Sequence, residues 1–425
     1  MQPETQIKRL DNGLRVATTS MPHMASTAVG FWVGSGSRHE TSVEHGMAHL
    51  VEHMVFKGTP TRSSMDISRQ IEGIGASIDG FTVEDHTAYH AKGPADQFEP
   101  MFEVMSDFFL NPTLDPAEIE SEKQVIREEI AMVRDLPGQY LEDLISEAAW
   151  GMSHPLGRSI TGTEASLESF QRSHIHNFFQ RSYCGENAVI SVAGNIEHGK
   201  IQDFVADKMS GLKAGNPAVP QPAPAPEILH RFHEENDQEQ SHVALSFPGV
   251  DRFHRDRFAL KLLDVILGEN MSSRLFQKIR EEKGLCYEIQ SDLVSFSDAG
   301  LLQIYLALSP ENLAPALDGI LEVITDIRLD GIAERELREA KAYLVGQSRI
   351  SLENTSSQMM WAGETLLFFN EWIEAEEAHR KVMEVTVDEV LAAAREYLNP
   401  RALCSALIGS GDSCRTLERW LGAIA

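Results

Sequence analysis

The sequence predicts an α+β fold in two related halves, and three observations predict it. The segment Gly211–His230, GLKAGNPAVPQPAPAPEILH, is rich in Pro and Ala and has no apolar periodicity, as expected of an extended linker. It divides the chain into residues 1–210 and 231–425. On either side, strand-like runs come first, helix-like runs follow and strands return; STAVGFWVGSGSR from Ser26 has a faint counterpart in SHVALSFPGVDR from Ser241. With 425 residues and 42% hydrophobic content, each half can bury a sizeable core.

Along the first half, MQPETQIKRLDNGLRV leads almost directly into a strand, with neither an apolar signal core nor an Arg/Ser-rich transit segment. HGMAHLVEHMVFKGT then carries an H-x-x-E-H motif in His49, Glu52 and His53. Positions three and four apart share a helix face, so His49 and His53 can offer two imidazoles to one metal ion with Glu52 beside them. This order is the inverzincin signature of zinc hydrolases. His45 continues the four-residue step but lies about 12 Å along the axis from His53, too far to share an ion, and is expected to shape the helix entry. The segment GASIDGFTVEDHTAYHAKG, Gly75 to Gly93, reads as two strands joined by a turn near Glu84 and Asp85, with His86 and His90 as strand residues and not ligands.

A catalytic zinc needs a third protein ligand and an open position for water. Leu114 to Arg134, LDPAEIESEKQVIREEIAMVR, reads as a helix capped by Asp115 with Pro116 at its first position. Its Glu122 and Glu129 are two turns apart on one side. Spacing alone leaves Glu120, Glu122, Glu128 and Glu129 open, either as ligands or as an acidic solvated face.

The chain resembles the pitrilysin, insulin-degrading enzyme and mitochondrial processing peptidase family, and is most similar to the small bacterial members. The likeness is carried by LDNGLRVATTSMP, GSGSRHETSVEHGMAHLVEHMVFKGTPTRS, SEKQVIREEIAMVRD, HPLGRSITGT and YCGENAVISVAGNI, then by SHVALSFPGV, LGENMSSRLFQKIREEKGLCYEIQS and SLENTSSQM. It implies two related halves, each a mainly antiparallel sheet with helices packed on it and forming half of a clamshell-like chamber. It also implies one zinc ion per chain, with His49, His53 and Glu129 as ligands and Glu52 as the general base. Glu122 enters the catalytic set as a supporting acid, and Glu128 is the neighbour most easily confused with Glu129. Arg280 and Tyr287, in IREEKGLCYEI, are implied as donors that reach the substrate from the second half. The strand Ser77 to Thr82 is implied to be a sheet edge that accepts an extended peptide, although Asp79 and Gly80 stand where the family more often has Asn and Ala. The second half has LKLLDVILGENMSSRLF where a metal helix would be, so only the first is expected to be catalytic.

The implied activity is zinc-dependent endopeptidase action on peptides or unfolded segments; the alternative is a noncatalytic partner subunit, which the intact motif argues against. A homodimer is expected, with Arg280 and Tyr287 of one copy facing the metal of the other. A formal net charge of -27 and the lack of a Lys/Arg cluster disfavour nucleic acid and fit basic peptides, or simply a soluble surface. Cys184, Cys286, Cys404 and Cys414 form no C-x-x-C pair, which fits a reducing compartment such as the bacterial cytoplasm. No apolar run approaches the roughly 18 residues of a membrane helix.

Overall fold

A computed structural model describes residues 3–217, 219–226, 228–235 and 239–424. The first half builds six strands, β1 (Glu4–Arg9), β2 (Arg15–Ser20), β3 (Ser26–Val33), β4 (Ser77–Thr82), β5 (Thr87–Pro94) and β6 (Ala188–Gly194), in the order β1-β2-β6-β3-β5-β4. The second builds β7 (His230–Glu234), β8 (Ser241–Pro248), β9 (Glu288–Ser295), β10 (Gly300–Leu308) and β11 (Cys404–Gly409), in the order β7-β11-β8-β10-β9. Each sheet is antiparallel apart from one parallel pair, β2 with β6 and β7 with β11. The α+β expectation holds, and β4 and β9 are edge strands.

The central strands of each sheet are covered on both faces. Along β3, Val29, Phe31 and Val33 point into a core built with Met54, Phe102 and Phe109, while Ala28 and Trp32 point the other way. A strand buried on both faces reads as a near-continuous apolar run, as STAVGFWV does. The second face is closed by helix Thr355–Phe369, whose Met359, Ala362 and Leu366 pack on Ala28, Trp32 and Val189. Gly363 permits this, because a Cβ there would fall 2.1 Å from the Trp32 indole. The second sheet is closed in the same way by helix Pro137–Trp150, whose Leu141, Ile145, Ala148 and Ala149 meet Ala244, Cys404 and Ala406.

The compact units therefore depart from the contiguous halves 1–210 and 231–425. One unit comprises the chain up to Ala131, Ser159–Gln221 and Arg349–Glu374; the other comprises Met132–Arg158, Pro222–Ser348 and the chain from Ala375 on. Each half of the sequence lends one helix to the other's sheet. The cause is packing: an amphipathic helix buries its apolar face wherever a complementary sheet face is bare, and periodicity does not say which sheet that is. The chain passes from one unit to the other at Gln221 and Pro222, inside the expected linker, although His230 already begins β7.

The local expectations for the site region hold. The motif helix is Met47–Val55. The next candidate helix is Pro116–Asp135, and the Asp115 carboxylate accepts the Ala117 N–H at 2.8 Å. Among the described residues no helix is long and apolar enough to cross a membrane, and all four cysteines are free.

Candidate metal centre

The site is built on a short helix whose start is unusually well held. Gly46 precedes it with φ near 90°, a left-handed conformation that suits glycine, and a Cβ there would meet Gly162 Cα at 2.8 Å. The Glu40 carboxylate accepts the N–H groups of Gly46 (2.8 Å) and Ala48 (2.7 Å), placing an anion on the positive end of the helix. His45 Nε2 meets the Ser159 carbonyl at 2.8 Å, consistent with its expected role at the entry.

From this helix His49 and His53 project side by side, with ring centroids 4.7 Å apart. Their Nε2 atoms lie 3.7 and 3.6 Å from Glu129 Oε2, and one ligand atom from each residue lies within 4.8 Å of the others. These separations exceed hydrogen-bond length and approach the roughly 3.3 Å between ligand atoms that tetrahedral zinc, with bonds near 2.0–2.1 Å, requires. Among the described residues this is the one His/Cys/Asp/Glu group with such geometry. Two imidazoles and a carboxylate are also the donor set zinc takes, so the residues present fit the ion. Glu128 is exposed and accepts from Gln124 Nε2 at 3.2 Å, while Glu120 pairs with Lys123, so of the four candidate acids only Glu129 joins the cluster.

Glu122 is buried, and both of its oxygens are taken. One accepts from His53 Nδ1 at 2.9 Å and the other pairs with Lys57 Nζ at 2.5 Å. A carboxylate cannot donate, so Nδ1 carries the proton and Nε2 is left with its lone pair toward Glu129. Glu122 therefore meets the candidate ligand His53 from behind and is not itself part of the cluster. Burial opposes a charge on His53, but the Glu122 hydrogen bond and the carboxylates of Glu129 and Glu52 outweigh it and raise its pKa. Burial, reinforced by His53, lowers the His49 pKa to about 3, so this imidazole is neutral and free to ligate at neutral pH.

Glu52 sits on the same helix beside the cluster. The Thr82 hydroxyl donates to its Oε2 at 2.6 Å, tying it to edge strand β4. Burial pushes its carboxyl above the ordinary value, against the pull of Thr82 and His53. Sequence reasoning missed Glu40, Lys57 and Thr82. Lys57 could have been found, since it lies four residues after His53 and one turn away. Thr82 could also have been found, as it shares the parity of Ile78 and Gly80 on β4. Glu40 leaves no local signal, because a loop brings it back to the helix. His86 packs against Trp32, Phe81 and Phe368, and His90 pairs across from Asp79 in the β4–β5 ladder, so neither joins the cluster.

Arg280 and Tyr287 lie in the other unit, Arg280 in the helical turn Phe276–Glu282 and Tyr287 immediately before β9. Tyr287 is 75% exposed, its N–H is held by the Ala307 carbonyl at 3.1 Å, and the Arg280 guanidinium lies over the rings of Phe276 (4.6 Å) and Tyr287 (5.9 Å).

Residues 15–164 match the insulinase family of peptidases, M16, and residues 169–344 match the M16 peptidase inactive domain. The chain belongs to the M16 peptidase family. Within it, the chain is 37% identical over 420 residues to an uncharacterized zinc protease of Mycobacterium leprae, covering 97% of this chain and 93% of that relative. It is 35% identical over 405 residues to the uncharacterized zinc protease YmxG of Bacillus subtilis, covering 94% and 97%. The fold is shared with a protease from Helicobacter pylori (TM-score 0.89, 20% identity, 96% of this chain and 99% of that one) and with an M16 inactive-domain structure from Pseudomonas fluorescens (0.88, 21%, 96% and 98%). The insulinase match contains His49, Glu52, His53, Glu122 and Glu129, and the inactive-domain match contains Arg280 and Tyr287.

Proposed function

We propose that this M16 family member is a zinc-dependent endopeptidase that cleaves peptides or unfolded segments in the bacterial cytoplasm. The convergence of His49, His53 and Glu129 beside Glu52, within a chain whose relatives are named zinc proteases, carries this reading. His49, His53 and Glu129 would hold one zinc ion per chain, which would supply Lewis acidity and lower the pKa of a bound water toward about 7. Glu52 accepts the proton of the attacking water and returns it to the departing amine, with Thr82 fixing which oxygen is free. Glu122 and Lys57 keep His53 in the ligating tautomer. The substrate adds to β4 by main-chain hydrogen bonds, so its backbone is read more closely than its side chains. The net charge of -27 favours basic peptides.

Arg280 and Tyr287 are donors to the substrate carbonyl, supplied by the partner copy in a homodimer that encloses a chamber. The alternative of a noncatalytic partner subunit gives no reason for an intact ligand set. The deciding experiment measures zinc content together with cleavage of a mixed peptide library for wild type and Glu52→Gln. The expected result is one zinc in both proteins and cleavage in wild type alone; a wild type that takes up no zinc, or an unchanged cleavage pattern in the variant, rejects the proposal. Mixing Glu52→Gln with Tyr287→Phe subunits tests site sharing: activity returns if the site spans two copies, and the mixture stays dead if it does not.

A further inference from the structure

In each unit a helix follows a central strand and precedes the edge strand: Met47–Val55 between β3 and β4, and Arg257–Asp264 between β8 and β9. In each, a hydroxyl on the edge strand donates to a carboxylate on that helix at the same short distance, Thr82 to Glu52 at 2.6 Å and Ser291 to Asp264 at 2.6 Å. Three residues before the carboxylate stands His49 in one unit and Lys261 in the other; one residue after it stand His53 and Val265. Where the first helix carries an imidazole three residues before its stapled carboxylate, the second carries an ammonium group. Lys261 Nζ lies 2.9 Å from Asp264 and 2.8 Å from Glu269, and the Asp264 side chain is wholly buried.

We propose that Lys261, by holding Asp264 and Glu269 and through Asp264 locking β9 to its helix, positions Tyr287. The lock acts on the strand that Tyr287 leads into. Ser291 is on β9 four positions after Tyr287, and Gly268 lets the strand approach so closely that a Cβ there would lie 2.6 Å from the Ser291 nitrogen. Glu269, the second partner of Lys261, lines one cavity of about 640 Å³ together with Arg280 and Glu288. The helix continues after Asp264 as a π turn, Val265–Glu269, a wider winding that recurs at functional positions; it brings Glu269 back to the ammonium. Lys261 touches no substrate in this scheme. It is a positioning residue, and its effect on turnover rests on the role proposed above for Tyr287.

The test uses Lys261→Met, Lys261→Arg and Ser291→Ala in the full chain, with amide hydrogen exchange and steady-state cleavage of one peptide. Without the cation or the hydroxyl, exchange in the segment 287–295 accelerates at least tenfold while zinc content is unchanged, and Lys261→Arg restores protection. Ser291→Ala leaves every charge in place and serves if Lys261→Met does not fold. In the same variants kcat falls, KM holds, and the loss lies between about tenfold and a hundredfold, the range that a misplacement of an ångström produces. The loss vanishes in a Tyr287→Phe background, because removing the positioned group removes what Lys261 supports. Unchanged exchange in 287–295 overturns the lock. Additive effects with Tyr287→Phe overturn the positioning role. A Tyr287→Phe enzyme that cleaves normally overturns the role assigned to Tyr287, and with it the catalytic part of the inference, while the exchange result still decides the lock.

Discussion

Helices Met47–Val55 and Arg257–Asp264 occupy equivalent places in their units, yet one presents two imidazoles to a distant carboxylate and the other closes on its own lysine. The difference comes down to a few side chains. The first unit keeps its carboxylates in excess of its fixed cations: Glu52 and Glu129 face two imidazoles, with Lys57 spent on Glu122. The second offsets part of its acidity internally, because Lys261 sits between Asp264 and Glu269. The cluster with the larger surplus of carboxylates is the stronger attractor of a cation from solution. The scaffold of strand, helix and stapled edge strand is thus indifferent to chemistry, which resides in the charge left over.

The largest effect that could break this comparison is at the stapled carboxylate itself. Glu52→Gln is expected to lower turnover by roughly 10²–10⁴-fold with zinc retained, as for loss of a general base. Asp264→Asn, its counterpart in the second unit, is expected to cost no more than about tenfold, since it leaves the Ser291 contact in reach and removes no group from the metal centre. Equal losses in parallel kinetic assays would end the distinction between the units. Next in size, Glu122→Gln weakens the acceptor that fixes the His53 tautomer and should reduce zinc affinity by about 10–100-fold, measured by competition with a chromophoric chelator. An unaltered affinity would mean that the ligand set orients itself. Smallest is Gly363→Ala, which tests how closely the covering helix of the first sheet is seated. A methyl group 2.1 Å from Trp32 overpacks the first sheet and should cost about 1–3 kcal/mol, lowering Tm by several degrees in a calorimeter. A control methyl at Gly346, in helix Glu334–Ser351 with open space around it, should leave Tm within a degree or two.

The features legible in the sequence were those whose cause is local. His49, Glu52 and His53 share one helical face, so their spacing was sufficient. The cap at Asp115 and the hairpin turning near Glu84 and Asp85 follow from turn and cap chemistry within a few residues. Glu129 needed the family resemblance, because Glu120, Glu122 and Glu128 are chemically equal until the helix is docked and its phase chosen. What escaped depends on contacts between distant segments. Glu40 reaches the motif helix only after a loop has folded back. Lys261 and Glu269 meet only because the helix widens into a π turn. The exchanged helices Pro137–Trp150 and Thr355–Phe369 carry ordinary amphipathic patterns, and their destinations are fixed by which sheet face remains bare.

That exchange has a consequence for how the chain can be divided. A gene truncated near Gln221 would encode a first fragment with Trp32 and Val189 stripped of their cover and Leu141, Ile145 and Trp150 with nowhere to go. Such a piece would expose two greasy surfaces and clump. A protease that nicks the finished protein in the same stretch would instead leave two polypeptides interlocked by what each has lent the other, so the halves of this molecule are inseparable in a way that a beads-on-a-string arrangement never is.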